Sequence, residues 1–97
     1  MKRHNPTKAA LHEGRTVSVL WLESASPDLA EAAVGAGWKT VLIDNEHGVS
    51  SLEHTSHLVR AVEAAWGEVV LRIPANDPAY LKKVLDMGVR SIMVPMI

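Results

Sequence analysis

The sequence predicts an α/β fold on a parallel sheet, amounting to the N-terminal half of a (β/α)8 barrel. Three observations carry that expectation. Short, β-branched apolar runs alternate with longer segments of helical periodicity, in the order αβαβαβαβ. The strand runs are apolar throughout instead of alternating, as in a parallel sheet covered on both faces by amphipathic helices. The turn after the first strand, Glu23-Ser24-Ala25-Ser26, contains no glycine, so the phosphate-binding turn of a doubly wound sheet is unsupported.

Each element has a local reason. A short helix over about 6–12 comes first and stops at Gly14. Thr16-Val17-Ser18-Val19-Leu20-Trp21-Leu22 reads as a buried strand. Ser26-Pro27-Asp28 then supplies an N-cap, a proline at the first helical position and an acid against the helix dipole. The helix over 27–36 ends at Gly35 and Gly37. Thr40-Val41-Leu42-Ile43-Asp44 is a second strand, ending in a carboxylate. Ser50 to Glu53 has capping-box spacing and opens a helix to about 66, with Leu52, Leu58, Val59 and Val62 on one face. Val69-Val70-Leu71-Arg72-Ile73 is the third strand. Asn76-Asp77-Pro78 starts another helix, with Tyr80, Leu81, Val84 and Leu85 at helical spacing up to Gly88. Ser91-Ile92-Met93-Val94-Pro95-Met96-Ile97 is the fourth strand.

Length turns this pattern into a partial domain. A (β/α)8 barrel takes about 200–250 residues, and the chain has 97. It reaches Ile97 inside an apolar strand with no covering helix after it. Residues 1–97 are therefore expected to be part of a barrel domain interrupted within or after strand 4. Composition excludes other classes. Ten Lys and Arg against eleven Asp and Glu leave a net charge of -1, without the clustered basic surface that nucleic acid needs. Tyr80 is the only tyrosine and phenylalanine is absent, so no aromatic platform for bases is expected. No apolar run approaches the roughly 18 residues of a membrane span. The start, Met1-Lys2-Arg3-His4-Asn5-Pro6, lacks the apolar core of a signal peptide. The absence of cysteine removes disulfides, thiolate zinc sites and thiol nucleophiles. A cytoplasmic location is expected.

In parallel α/β folds the chemistry gathers at the carboxyl ends of the strands. Those ends hold Glu23 and Ser24, then Asp44-Asn45-Glu46-His47-Gly48, then Arg72, Pro74 and Asn76, then Pro95 and Met96. His47 can move a proton near neutral pH, with Asp44 or Glu46 to orient it; a solvated polar loop is the plain alternative. Arg72 interrupts an apolar strand, and a buried guanidinium is rarely left unpaired. It could hold a carboxylate or an enolate oxygen, or form a structural pair with Asp44 or Glu46. His54 and His57 lack a third ligand at metal spacing and read as a solvated helix face. His4, His12, Lys82 and Lys83 read as surface residues. Trp21, Trp38 and Trp66 read as packing residues. No lysine stands at a strand end, which argues against a Schiff-base aldolase.

Taken in order, Leu20-Trp21-Leu22, Gly35-Ala36-Gly37-Trp38 and Val41-Leu42-Ile43-Asp44-Asn45-Glu46-His47 resemble the opening of the HpcH/HpaI aldolases. Leu71-Arg72-Ile73-Pro74-Ala75-Asn76-Asp77-Pro78, Leu85-Asp86-Met87-Gly88 and Val94-Pro95-Met96 continue the match. The resemblance implies a metal-dependent, class II pyruvate-type aldolase on a (β/α)8 barrel, a carbon–carbon lyase cleaving a 4-hydroxy-2-oxo acid to pyruvate and an aldehyde. It implies His47 as general base, Arg72 as the group that holds the pyruvate part and stabilises the enolate, and Asp86 as an acid that raises the basicity of the histidine. Asp44 and Glu46 are nearer candidates for orienting His47 or ordering metal-bound water. Asp86 closes the third main helix, at the end opposite the strand tips, so a neighbouring subunit or an unexpected helix end would have to bring it there; a homo-oligomer is the expectation. A divalent cation, Mg2+ or Mn2+, is implied, with its Glu and Asp ligands on strands beyond Ile97. The small-molecule 2-oxo acid is the expected partner, without nucleic acid or membrane, and the fragment alone is expected to be inactive. The family often has a small residue such as Gly between the Asp and Glu of its loop. Asn45 stands there instead, a change expected to alter loop geometry and substrate preference. The alternatives are a citrate-lyase-β-like enzyme acting on acyl-CoA and a non-catalytic, self-associating half-barrel.

Overall fold

Helices begin here where a polar side chain replaces the backbone partner that the first turn lacks. The computed structural model describes residues 4–97; Met1, Lys2 and Arg3, from the segment read above for a leader, lie outside the described residues. Asn5 caps α1 (Pro6–His12), its side chain accepting from the Lys8 N–H at 3.0 Å. Ser26 caps α2 (Pro27–Gly35) through the Leu29 N–H. Asp77 caps α4 (Pro78–Asp86) through the Ala79 N–H. The cap of α3 (Leu52–Ala64) corrects the expected capping box. Ser51, not Ser50, accepts from the His54 N–H, at 3.3 Å. Ser50 is buried and turns its hydroxyl to the Asn45 carboxamide instead.

The strands are β1 (Val19–Leu22), β2 (Thr40–Asp44), β3 (Glu68–Arg72) and β4 (Ile92–Met93). All pair in parallel in the order β1-β2-β3-β4. The first and fourth are shorter than their apolar runs. The fourth pairs over two residues of the seven expected: Pro95 has no N–H for a ladder, and Met96 turns away at φ 54°. Asp44 stands directly opposite Arg72 at the end of the β2–β3 ladder.

Side chains alternate across a strand, and the two faces differ. Val41, Ile43, Val69 and Leu71 pack with Ala30, Ala33, Leu58, Val62 and Val84 from α2, α3 and α4 in one buried cluster. Trp21, Leu42, Asp44, Val70 and Arg72 point the other way. The main helices therefore cover one face, not two. In β3 this shows directly, since Val69 and Leu71 are buried while Glu68, Val70 and Arg72 are half-buried. This is the helix-coated sheet of a (β/α)8 barrel over its first four strands, with the open face corresponding to the barrel interior. Gly67 permits α2 and α3 to close on the start of β3, because a Cβ there would lie 2.7 Å from a Val34 methyl and 2.9 Å from a Val62 methyl.

Candidate active site

Asp44 is the last residue of β2 and is fully buried. Its carboxylate gathers five donors. Arg72, the last residue of β3, donates from Nε to Oδ1 at 3.1 Å and from Nη2 to Oδ2 at 2.7 Å. The Trp21 Nε1–H reaches Oδ2 at 3.0 Å. The backbone N–H groups of Glu46 and His47 reach Oδ1 at 2.8 and 3.0 Å. The last two form the turn that a short acidic side chain makes with its own following backbone. That turn is how the sequence bends sharply after the strand. Gly48 completes it, since a Cβ there would sit 2.2 Å from the Asp44 carbonyl oxygen. The loop is also anchored by Asn45 N–H to Arg72 O and by Val49 N–H to Glu23 O.

Charge follows this geometry. Burial pushes the Asp44 carboxyl up, but the Arg72 guanidinium, the His47 N–H, the Trp21 indole and the Glu46 N–H outweigh it, holding Asp44 well below the usual carboxylate range. The hydrogen bonds to Asp44 raise the Arg72 value, burial opposes this, and the charges of Asp44, Glu46 and Glu23 reinforce it. Arg72 lies over the Trp21 ring, 4.9 Å from its centroid, a cation–π arrangement. Its Nη1 is 3.1 Å from Glu46 Oε1, and the same oxygen is 3.6 Å from His47 Nε2. Asp44, Arg72, Glu46 and His47 thus form one continuous chain from a buried carboxylate to an imidazole whose side chain is 68% exposed. Two of the five N–H groups of Arg72 donate to Asp44, and Nη1 pairs with Glu46.

Four of the five sequence-expected residues are therefore together. Asp86 is not with them. It is the exposed last residue of α4, at the end of the sheet where β4 starts and away from the strand tips. The alternative of a structural ion pair for Arg72 holds as well: Asp44 and Glu46 both bind it. Trp21 was not expected at the site. It is 44% exposed, and the signal for it lay in the period-two alternation, which puts Trp21 on the face of Asp44 and Arg72. The reading of the tryptophans as packing residues is corrected for Trp38 and Trp66 too, which are 40% and 84% exposed. His54 and His57 are exposed on α3, with His54 Nδ1 3.0 Å from the Ser51 hydroxyl. Lys82 and Lys83 are exposed on α4. Among the described residues no three His, Cys, Asp or Glu side chains converge to hold a metal ion, and no helix is long and apolar enough to cross a membrane.

Comparison with known proteins gives this geometry a context. The model of the HpcH/HpaI aldolase/citrate lyase family matches residues 17–97. A 4-hydroxy-2-oxovalerate aldolase of Novosphingobium aromaticivorans is 43% identical over 94 residues, 96% of this chain and 36% of the relative. A hydroxypyruvate/pyruvate aldolase of Cupriavidus necator is 40% identical over 97 residues, all of this chain and 36% of the relative. The crystal structure of an HpcH/HpaI aldolase/citrate lyase family protein from Burkholderia cenocepacia superposes with a TM-score of 0.91 at 35% identity, over 97% of this chain and 38% of that one. The chain thus spans little more than a third of the length of the relatives it matches.

Proposed function

Because the chain belongs to the HpcH/HpaI aldolase/citrate lyase family, we propose that the protein it forms is an aldolase that cleaves a 4-hydroxy-2-oxo acid to pyruvate and an aldehyde. One observation carries this reading: the run of contacts Asp44–Arg72–Glu46–His47 at the carboxyl ends of two adjacent parallel strands. The names of the relatives support the lyase class. In the proposed step the exposed His47 imidazole takes the proton of the substrate C4 hydroxyl. The C4 oxygen lone pair becomes the aldehyde carbonyl, the C3–C4 bond breaks, and its electrons pass through C2 onto the C2 oxygen as an enolate. The Arg72 guanidinium holds the carboxylate and that developing oxyanion, where fixed donors act most strongly. His47 then returns its proton to C3, giving pyruvate. Glu46, 3.6 Å from His47 Nε2, orients the ring for both transfers.

Residues 1–97 supply the base and the arginine of this barrel domain. The described residues offer no ligand set for a divalent cation. The Mg2+ or Mn2+ implied by the resemblance is proposed to sit on carboxylates beyond Ile97, and no step here runs through it. Asp86 lies at the wrong end of its own sheet to serve His47, so its proposed role requires a second copy of the chain and a homo-oligomer. A cytoplasmic setting belongs to the same proposal.

The test is made at full length, with pyruvate release coupled to lactate dehydrogenase. His47→Ala abolishes release and leaves the far-ultraviolet spectrum unchanged; turnover near that of the parent overturns the reading. Arg72→Lys keeps the charge and loses the fork. It is expected to lower turnover by about 10²–10³-fold, the range for removing one oxyanion donor, and parent-like kinetics would remove Arg72 from the reaction.

A further inference from the structure

We propose that Asn45 is a positioning residue: its carboxamide pegs the loop of Glu46 and His47 to α3 and α4, fixing the loops after β2 and β3 relative to each other. The proposal rests on the reading of that loop as catalytic. Asp44 and Asn45 are consecutive at the end of a strand, so they face opposite sides of the sheet. Asp44 holds the loop from the open face. Asn45 holds it from the helix face. Its Nδ2 donates to the Tyr80 hydroxyl at 2.8 Å. Its Oδ1 accepts from the Ser50 hydroxyl at 3.0 Å and lies 3.0 Å from the Thr55 hydroxyl, which is also 2.8 Å from Ser51 O.

The partners place the peg. Ser50 closes the far end of the same loop, so residues 45–50 form a ring with Glu46 and His47 on it. Thr55 is fully buried in α3. Tyr80 is on the first turn of α4, just after the segment that leaves β3 past Arg72. One side chain therefore joins the loop bearing His47 to the helix that follows Arg72. A glycine at position 45 could make none of these three contacts. The expected change in loop geometry at Asn45 has this physical form: the loop is fastened by a side chain on a face the substrate does not touch. Groups of this kind, which hold catalytic side chains without meeting substrate, change rates by about 10–100-fold when removed.

The test uses the full-length protein and the variants Asn45→Gly, Asn45→Ala and Tyr80→Phe, with two readouts. In pyruvate release, kcat falls by about 10–100-fold for the Asn45 variants and by less for Tyr80→Phe. KM stays within about two-fold, because Arg72 is still held by Asp44 and position without binding is lost. In hydrogen exchange, the Glu46, His47 and Val49 amides exchange faster while those of β2 and β3 are unchanged. Adding Tyr80→Phe to Asn45→Ala costs nothing further, as for two partners of one bond. Parent-like kcat and exchange in Asn45→Gly overturns the peg. So does a raised KM at unchanged kcat, or a rise in exchange spread over the whole sheet. Faster loop exchange in the variants of a protein whose parent releases no pyruvate supports the peg and overturns only the aldolase reading.

Discussion

Asp44 joins the stability of the sheet to the proposed chemistry in a single side chain. Five N–H donors from four residues converge on a carboxylate with no exposure, and one of those residues, Arg72, has only 17% of its own side chain exposed. Removing one member of a buried pair costs about 3–5 kcal/mol when the other charge is left uncompensated, and Glu46, still beside Arg72, keeps the cost toward the lower end. Asp44→Asn is expected to destabilise the fold by that order, read as a lower midpoint in urea with an unchanged slope. The same group sets an acid dependence. Its folded value lies below the ordinary 3.8, so its contribution is present above that pH and is lost as pH falls further, when the unfolded chain binds the proton more readily. Stability measured from pH 5 downward should fall more steeply for the parent than for Asp44→Asn. Arg72 was legible as unusual because a charge interrupts an apolar strand. Asp44 was legible by position alone. Trp21 was not, since an aromatic residue in a strand counts toward the apolar pattern whether it packs or binds.

At the scale of elements, the ends of helices were less legible than their existence. The proline-containing starts at Ser26 and Asp77 were readable because cap and proline are adjacent. The spacing to Glu53 pointed to Ser50, but a tertiary contact to Asn45 takes its hydroxyl and Ser51 caps instead. Ser51→Ala is expected to cost about 1 kcal/mol. The end of α3 shows the same limit. Nothing in Ala65 or Trp66 forbids a helix, so the periodicity runs on to 66. In the structure, Trp66 takes φ 70° and the Gly67 N–H returns to Val62 O at 2.9 Å, the usual left-handed closure of a helix. The stop comes from the tight approach at Gly67. A tryptophan 84% exposed gains little from burial to offset a backbone that costs L-residues about 1–2 kcal/mol. Trp66→Gly in the full-length barrel should raise the melting temperature, by about 2–4 °C for each kcal/mol recovered.

For the molecule as a whole, the apolar character of the strands on both sides had a meaning that only the structure separates. One side meets the helices. The other, with Trp21, Leu42 and Val70, is the side that faces inward in a barrel. Strand number, order and direction were legible from alternation and caps. Which face lay open was not, because an apolar residue does not record what covers it. In residues 4–97, β1 and β4 each have a free edge, and unprotected edges invite pairing between chains. Residues 1–97 produced alone are expected to self-associate, with a light-scattering mass at a multiple of the chain; a monomer would show that these short edges are tolerated. The pairing of Asp44 with Arg72 across β2 and β3 bears on how the chain assembles at all. If β3 slid by a single residue along β2, every side chain would change face, and the guanidinium would be thrust among the valines and leucines beneath the helices. Misaligned chains thus carry a penalty that aligned ones escape. The pair proposed to prepare the site for substrate also proofreads the sheet, so substitutions there should show in refolding yield as well as in turnover.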